Sequence, residues 1–198
     1  MIKKNIIGNS YLKFLRNKLI NDNIWSYLPS VVNENLTSDD ESLGFTMFMD
    51  RFIDPEFDVW EPYYSLCYPL ILNLFEKHEI ENFNILRIRF GLILNKGKKI
   101  INTPHVDFEY NHPIAKNHKN ILFYFNSTDA STLIYRETSK NISDSILFGE
   151  SNKNKFNIEK EIPCIENTSV LFNGENFHSS ITPNNVPWRL VLNINFKT

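Results

Sequence analysis

Cysteine is nearly absent from this sequence: Cys67 and Cys164 are its only two, and they lie far apart. Two isolated cysteines exclude a disulfide framework and a cysteine-based zinc pattern; they read as free thiols in a reducing, cytoplasmic compartment. Glycine is scarce as well, with 6 in 198 residues, which excludes a collagenous or low-complexity chain. No stretch approaches the roughly 18 apolar residues needed to span a bilayer. Residues 1–10 carry neither a long apolar run nor a small-residue cleavage site, so no signal peptide is expected. An excess of one charge is also missing. Against 21 Lys and Arg stand 23 Asp and Glu, a net charge of −2, so no strong field draws the chain to nucleic acid or an anionic membrane. The basic clusters (Lys3-Lys4, residues 96–99 and 153–160) are short or diluted with Gly and Asn, and read as solvated loop faces.

What the sequence does have is rings. Aromatic residues reach 14%, with 16 Phe and 8 Tyr, enough to fill much of a core. The length suits one domain. The expectation is a single unit over 1–198, with a helical and loop extension over 1–44 and a core over 45–198. In the extension, Tyr11, Phe14, Leu15 and Leu19 recur at helical spacing. Residues 33–42 are polar and read as a surface loop; residues 45–52 form a dense apolar, extended patch. The best helix covers 61–78. Pro62 suits its first turn, and Tyr64, Leu66, Cys67, Leu70, Ile71, Leu74 and Phe75 recur every three to four residues, as in a helix packed on a sheet. Pro69 falls inside this run and predicts a break or kink near Tyr68.

After Phe83 the pattern changes to short strands over 85–94, 120–126, 132–136, 145–148, 155–158, 169–172 and 189–196. Short runs between Asn, Gly, Pro and Ser loops imply an antiparallel sandwich or barrel, so the class is mainly β with flanking helices, α+β.

The chemistry concentrates in a few residues. His105-Val106-Asp107 places an imidazole and a carboxylate two residues apart, and on an extended strand these share a face. One imidazole from a distant strand would complete a facial triad with open positions, the arrangement of non-haem Fe(II) oxygenases. His178, after the Gly-containing turn 173–176, is the candidate. Arg189 lies eleven residues further on, at the start of an alternating apolar strand. An inward Arg there is costly unless an anion meets it, and a small diacid would do so in bidentate fashion. Taken singly, an H-x-D, a turn His or a strand-end Arg is usually a surface residue; the ordered set carries the reading.

Other residues have two readings each. Arg87 and Arg89 share a strand face, and either line the cavity mouth or pair with carboxylates at its edge. His112 either touches substrate or is a plain loop histidine. Trp188 either caps the pocket or packs beside a strand. His118, among lysines, is expected to be exposed. His78 ends a helix, where a partly charged imidazole suits the dipole.

The order Thr103-Pro104-His105-Val106-Asp107, Phe123-Tyr124-Phe125-Asn126, Asn176-Phe177-His178 and Arg189 resembles the Fe(II)/2-oxoglutarate-dependent oxygenase superfamily. It is similar to the prolyl-4-hydroxylase-like branch, especially small stand-alone members from bacteriophages and marine microbes. Leu86-Arg87-Ile88-Arg89 and the tail 189–196 share the likeness, which covers about 45–197. The resemblance implies a double-stranded β-helix, a cupin-like jelly roll with helices packed on one face. It implies Fe(II) on His105, Asp107 and His178, with 2-oxoglutarate held by Arg189 and Tyr124, and O2 as the third reactant. The implied reaction hydroxylates a C–H bond of a peptidyl, prolyl-like substrate or a small molecule, releasing succinate and CO2. Two departures stand out. Ala130 and Ser131 replace glycines of a family turn at 129–132, and Arg189 stands where collagen-type hydroxylases often have Lys. A nucleic-acid demethylase of the same superfamily is the alternative, disfavoured by the near-neutral charge. A non-catalytic jelly-roll binding or virion structural protein is the third reading. The loops at 33–42, 109–119 and 139–160 carry no motif that names the primary substrate.

Overall fold

Strict alternation along the last strand sorts its side chains to two faces. Leu190, Leu192, Ile194 and Phe196 are fully buried on one, while Arg189, Val191, Asn193 and Asn195 fall on the other. The same holds for Ile88, Phe90 and Leu92 against Arg87, Arg89, Gly91 and Ile93. A sheet built from such strands has an apolar face for helices and a mixed face for a cavity.

The computed structural model describes residues 1–22, 24–28, 42–54, 56, 61–108, 116–140 and 156–198. In chain order the elements are β1 (Ile2–Lys4), α1 (Asn9–Asn21), β2 (Ser26–Leu28), β3 (Ser42–Met49), α2 (Glu61–Lys77), β4 (Asn84–Leu94), β5 (Lys119–Tyr124), β6 (Ser131–Thr138), β7 (Ile158–Pro163), β8 (Thr168–Asn173), β9 (Asn176–Ser180) and β10 (Trp188–Lys197). Seven strands form a large sheet in the order β1-β8-β5-β10-β4-β3-β2, and three form a small one, β7-β6-β9. All pairings are antiparallel. Both helices cover the apolar face of the large sheet: Leu12, Leu15 and Leu19 of α1 and Leu70, Ile71, Leu74 and Phe75 of α2 join Phe90, Phe123, Leu192 and Phe196 in one core. The other face meets the small sheet across Leu122, Tyr124, Ile134, Ile162, Cys164 and Val170. This is the jelly-roll core with helices on one face.

Several local expectations need correction. The helix runs through Pro69 without interruption. Pro69 and Ser65, whose carbonyl loses its amide partner, both face solvent, where water can serve that carbonyl. In α1 the packed stripe is Leu12, Leu15 and Leu19, and Phe14 is 53% exposed. The first 28 residues also supply two strands of the large sheet that periodicity did not reveal; three-residue strands are too short to show it. His118 is buried, at 1% exposure, edge-on to Phe108. Its ring lies over Gly174, where any Cβ would collide with it. His78 is also buried, with Nε2 bonded to Ser169 Oγ at 2.8 Å. Burial, then the N-terminal amine and Lys3, push its pKa down to about 4, so it is neutral rather than charged. The expected strand at 145–148 and most of the loop at 33–42 lie outside the described residues. Among the described residues no helix is long and apolar enough to cross a membrane.

Candidate metal centre

His105 and His178 are brought together by backbone. Each donates its N–H to the other's carbonyl at 2.9 Å, an isolated antiparallel bridge that ties the 103–107 segment to β9. His105 therefore sits on a single bridge rather than in a full strand. The imidazole centroids lie 4.6 Å apart with planes at 50°. Asp107 joins them, its Oδ2 3.7 Å from His178 Nε2. Candidate ligand atoms of all three fall within 4.8 Å of one another.

The ring orientations suit a metal. His105 Nδ1 lies 3.0 Å from the Thr103 carbonyl, and His178 Nδ1 lies 3.3 Å from the Asn176 carbonyl. A carbonyl only accepts, so each Nδ1 carries a proton and each Nε2 is the atom turned to the site. This is the outer support that metal-ligating histidines usually have. Burial, and then the neighbouring His178, push His105 down to about 4, only partly offset by Asp107. At neutral pH its ring is uncharged, and no proton must leave before a cation binds.

Asp107 is held by a dense set of donors. Arg87 gives it an ion pair to Oδ1. Asn120 Nδ2 donates to Oδ2 at 2.6 Å, Asn195 Nδ2 at 2.8 Å, and Asn193 Nδ2 reaches both oxygens at 3.0 and 3.1 Å. Asn195 also accepts from Arg87 Nε and donates to Asn120 Oδ1, closing the network. Burial alone would raise the carboxyl's pKa; Arg87, the two imidazoles and Asn193 outweigh it and hold it well below the usual range. Of the two readings for Arg87, both hold in part: it lines the cavity and pairs with a carboxylate inside it rather than at its edge.

The three residues open on a cavity of about 240 Å³ between the two sheets, lined also by Arg89, Thr132, Arg189, Val191 and Asn193. Arg189 is 1% exposed. It bridges the sheets by donating to the Ser131 carbonyl at 2.9 Å, to Thr132 Oγ1 at 2.6 Å and, more weakly, to the Ile181 carbonyl. Among the described residues no carboxylate meets it, and its buried Nε has no acceptor. The Tyr124 ring lies 5.4 Å from its guanidinium carbon, and the Tyr124 hydroxyl bonds Thr132 Oγ1 at 2.9 Å. Burial raises the Tyr124 pKa despite Arg189 and Thr132, so the phenol keeps its proton.

Two other predicted residues fall elsewhere. Trp188 opens β10 and packs with the helix-side core, because its neighbour Arg189 takes the cavity face. It does not line the cavity. His112 lies outside the described residues. Sequence reasoning missed Asn120, Asn193, Asn195 and Thr132. Asn193 and Asn195 share parity with Arg189 along β10, which was the available signal: polar residues on the same face as an inward Arg.

No family model and no curated protein matches the chain. Solved structures do. An oxidoreductase of the 2OG-Fe(II) oxygenase family from Burkholderia pseudomallei superposes with a TM-score of 0.62 at 8% identity, over 97% of this chain and 81% of that one. A prolyl-4-hydroxylase from Pseudomonas putida gives 0.56 at 10%, over 100% and 91%. The epimerase SnoN in complex with Fe3+, alpha ketoglutarate and nogalamycin RO gives 0.59 at 10%, over 100% and 78%. At such identities these likenesses show a shared fold.

Proposed function

We propose that the chain is an Fe(II)- and 2-oxoglutarate-dependent oxygenase acting on a C–H bond of a small molecule or a peptidyl, prolyl-like group. One observation carries this reading: a buried arginine with no counter-charge among the described residues and an orphan Nε–H shares a cavity with two Nδ1-protonated histidines and an ionised aspartate. The donor set, two imidazoles and one carboxylate on one side, fits a divalent iron with open positions. The Arg189 guanidinium, with no carboxylate partner among the described residues, fits the far carboxylate of a small diacid. The structural neighbours support it, since one holds Fe3+ and alpha ketoglutarate.

When bound, Fe(II) with 2-oxoglutarate and dioxygen supplies the oxidising power for the C–H bond, with succinate and CO2 as by-products. The chain's own residues do the rest. His105 and His178 present Nε2 atoms fixed by the Thr103 and Asn176 carbonyls. Arg87 and the three asparagines keep Asp107 ionised and aimed. Arg189, steadied by Ser131 and Thr132, orients the diacid along the cavity, with the neutral Tyr124 beside it as a further donor. Leu43, Ile93, Val106, Leu122 and Val191 line the walls and exclude water. We read residues 1–198 as one such unit, working in a reducing compartment where Cys67 and Cys164 stay free.

The test is Fe(II)-dependent conversion of 2-oxoglutarate to succinate with dioxygen uptake. Wild type is expected to turn over. Asp107→Ala is expected to lose turnover, and Arg189→Gln to raise the KM for 2-oxoglutarate at least tenfold, with Arg189→Lys intermediate. An unchanged KM in Arg189→Gln would contradict the role of the arginine.

A further inference from the structure

Arg89 is a second cavity arginine that no carboxylate pairs with among the described residues. It lines the same chamber as the metal candidates, directly across the β4–β10 ladder from Asn193, which donates to Asp107. It shares the cavity face with Arg87, two residues away. Yet the three cavity arginines differ. Arg87 is paired with Asp107. Arg189 is packed against Ser131, Thr132 and Tyr124 at the other end of the chamber. Arg89 has no hydrogen bond or ion pair among the described residues, although it is half-buried. Burial, then the like charge of Arg87, pull its pKa down to about 10, and the attraction of Asp107 offsets this only in part. It stays charged at neutral pH while stripped of much of its water, a state that an anion would relieve.

Charge balance points the same way. Asp107 is the single carboxylate among the described lining residues, facing three arginines. Fe(II) and the dianion 2-oxoglutarate cancel each other, so loading the site as proposed above leaves the positive surplus in place. Arg189 would then be matched by the diacid, and Arg89 would still face an open chamber.

We propose that Arg89 receives an anionic group, a carboxylate or a phosphate, on the primary substrate. The inference rests on the oxygenase reading and narrows its substrate to small anionic molecules or acidic groups. Because Arg89 adjoins the Asp107 network, a group held there lies beside the metal candidates. The oxidised carbon is therefore within a few bonds of the anionic group. A guanidinium fork favours two-oxygen acceptors of this kind.

Mn(II) in place of iron makes the test independent of turnover. With the protein loaded with Mn(II) and 2-oxoglutarate, paramagnetic relaxation is read on two probes, the phosphorus of inorganic phosphate and the carboxyl carbon of labelled acetate. In wild type at least one probe is expected to relax several-fold faster than in Arg89→Gln, with Arg89→Lys in between. The faster probe identifies the anion class. Arg89→Met, which keeps the side-chain length, serves as a second neutral variant, with thermal melts verifying the fold. Equal relaxation in wild type and in both neutral variants, with Mn(II) bound, would overturn the proposal. Failure of wild type to quench the free Mn(II) EPR signal would instead overturn the metal reading, and this inference with it.

Discussion

Asp107 shows at the level of single residues how a charge is kept in a buried chamber. Its two oxygens accept from Arg87, Asn120, Asn193 and Asn195. Replacing the carboxylate by an amide would turn an N–H donor toward groups that themselves donate and leave Arg87 buried without a counter-charge. Removing one partner of a buried pair typically costs about 3–5 kcal/mol. Asp107→Asn, measured by urea denaturation without metal, is expected to lose stability of that order; a loss below about 1 kcal/mol would mean that the network is slack. His78 gives the second residue-level expectation. Its pKa falls from the ordinary 6.5 to about 4 on folding, under burial and the facing N-terminal amine and Lys3. Between those values the unfolded chain binds the extra proton, so stability is full above about pH 6.5 and falls as the pH drops toward 4. The expected loss between pH 7 and pH 5 is on the order of 1–2 kcal/mol, allowing for solvent screening. His78→Asn should flatten that part of the stability profile, read from denaturation midpoints. An identical slope in the variant would assign the loss to other groups.

Among the elements, α1 illustrates how spacing and partner together decide a buried face. Leu12, Leu15 and Leu19 lie against the core that α2 and the large sheet share. Leu15→Ala is expected to cost about 2–5 kcal/mol, whereas Phe14→Ala on the exposed side should stay within about 0.5 kcal/mol; equal losses in thermal or urea melts would contradict the packing. The sequence shows that a helix is here through the Leu15 and Leu19 spacing, but Tyr11 and Phe14 fit that period almost as well, and only the docked sheet chooses the stripe. The same limit applies to α2, where Pro69 argued for a break. The prediction weighed the lost hydrogen bond and could not weigh Tyr63, Cys67, Leu70 and Leu74 gripping the sheet from both sides of it. β4 and β10 were legible because residues 86–90 and 189–196 alternate. β1, β2 and β9 were not, since three to five residues carry too little period, and their pairing depends on chain far away in sequence.

For the whole molecule, the two sheets make one chamber with different business at each end. His105, Asp107 and His178 come from a bridge segment and β9, with β4, β5 and β10 supplying the Asp107 network. Arg189 closes the far end against β6. The ordered set of chemistry-bearing residues could be read from the chain because each type is unusual where it stands: an H-x-D before a strand-rich spacer, and an Arg on an apolar strand. Asn120 could not, because Asn is common in this sequence; Asn193 and Asn195 offered only their parity with Arg189 along β10, which places them on its face without naming Asp107 as their partner. Arg87 and Arg89 look equivalent in sequence, two residues apart on one face, yet among the described residues Arg87 forms the ion pair with Asp107 and Arg89 forms none. That difference arises only when Asp107 is brought in from another segment.

The most direct check of the account is anaerobic titration of the purified protein with Fe(II) and 2-oxoglutarate, followed by visible absorption. Wild type is expected to develop a weak charge-transfer band that needs both components, and His178→Ala is expected to show none. A wild type without the band, or a band that survives in His178→Ala, would contradict the assignment of the site.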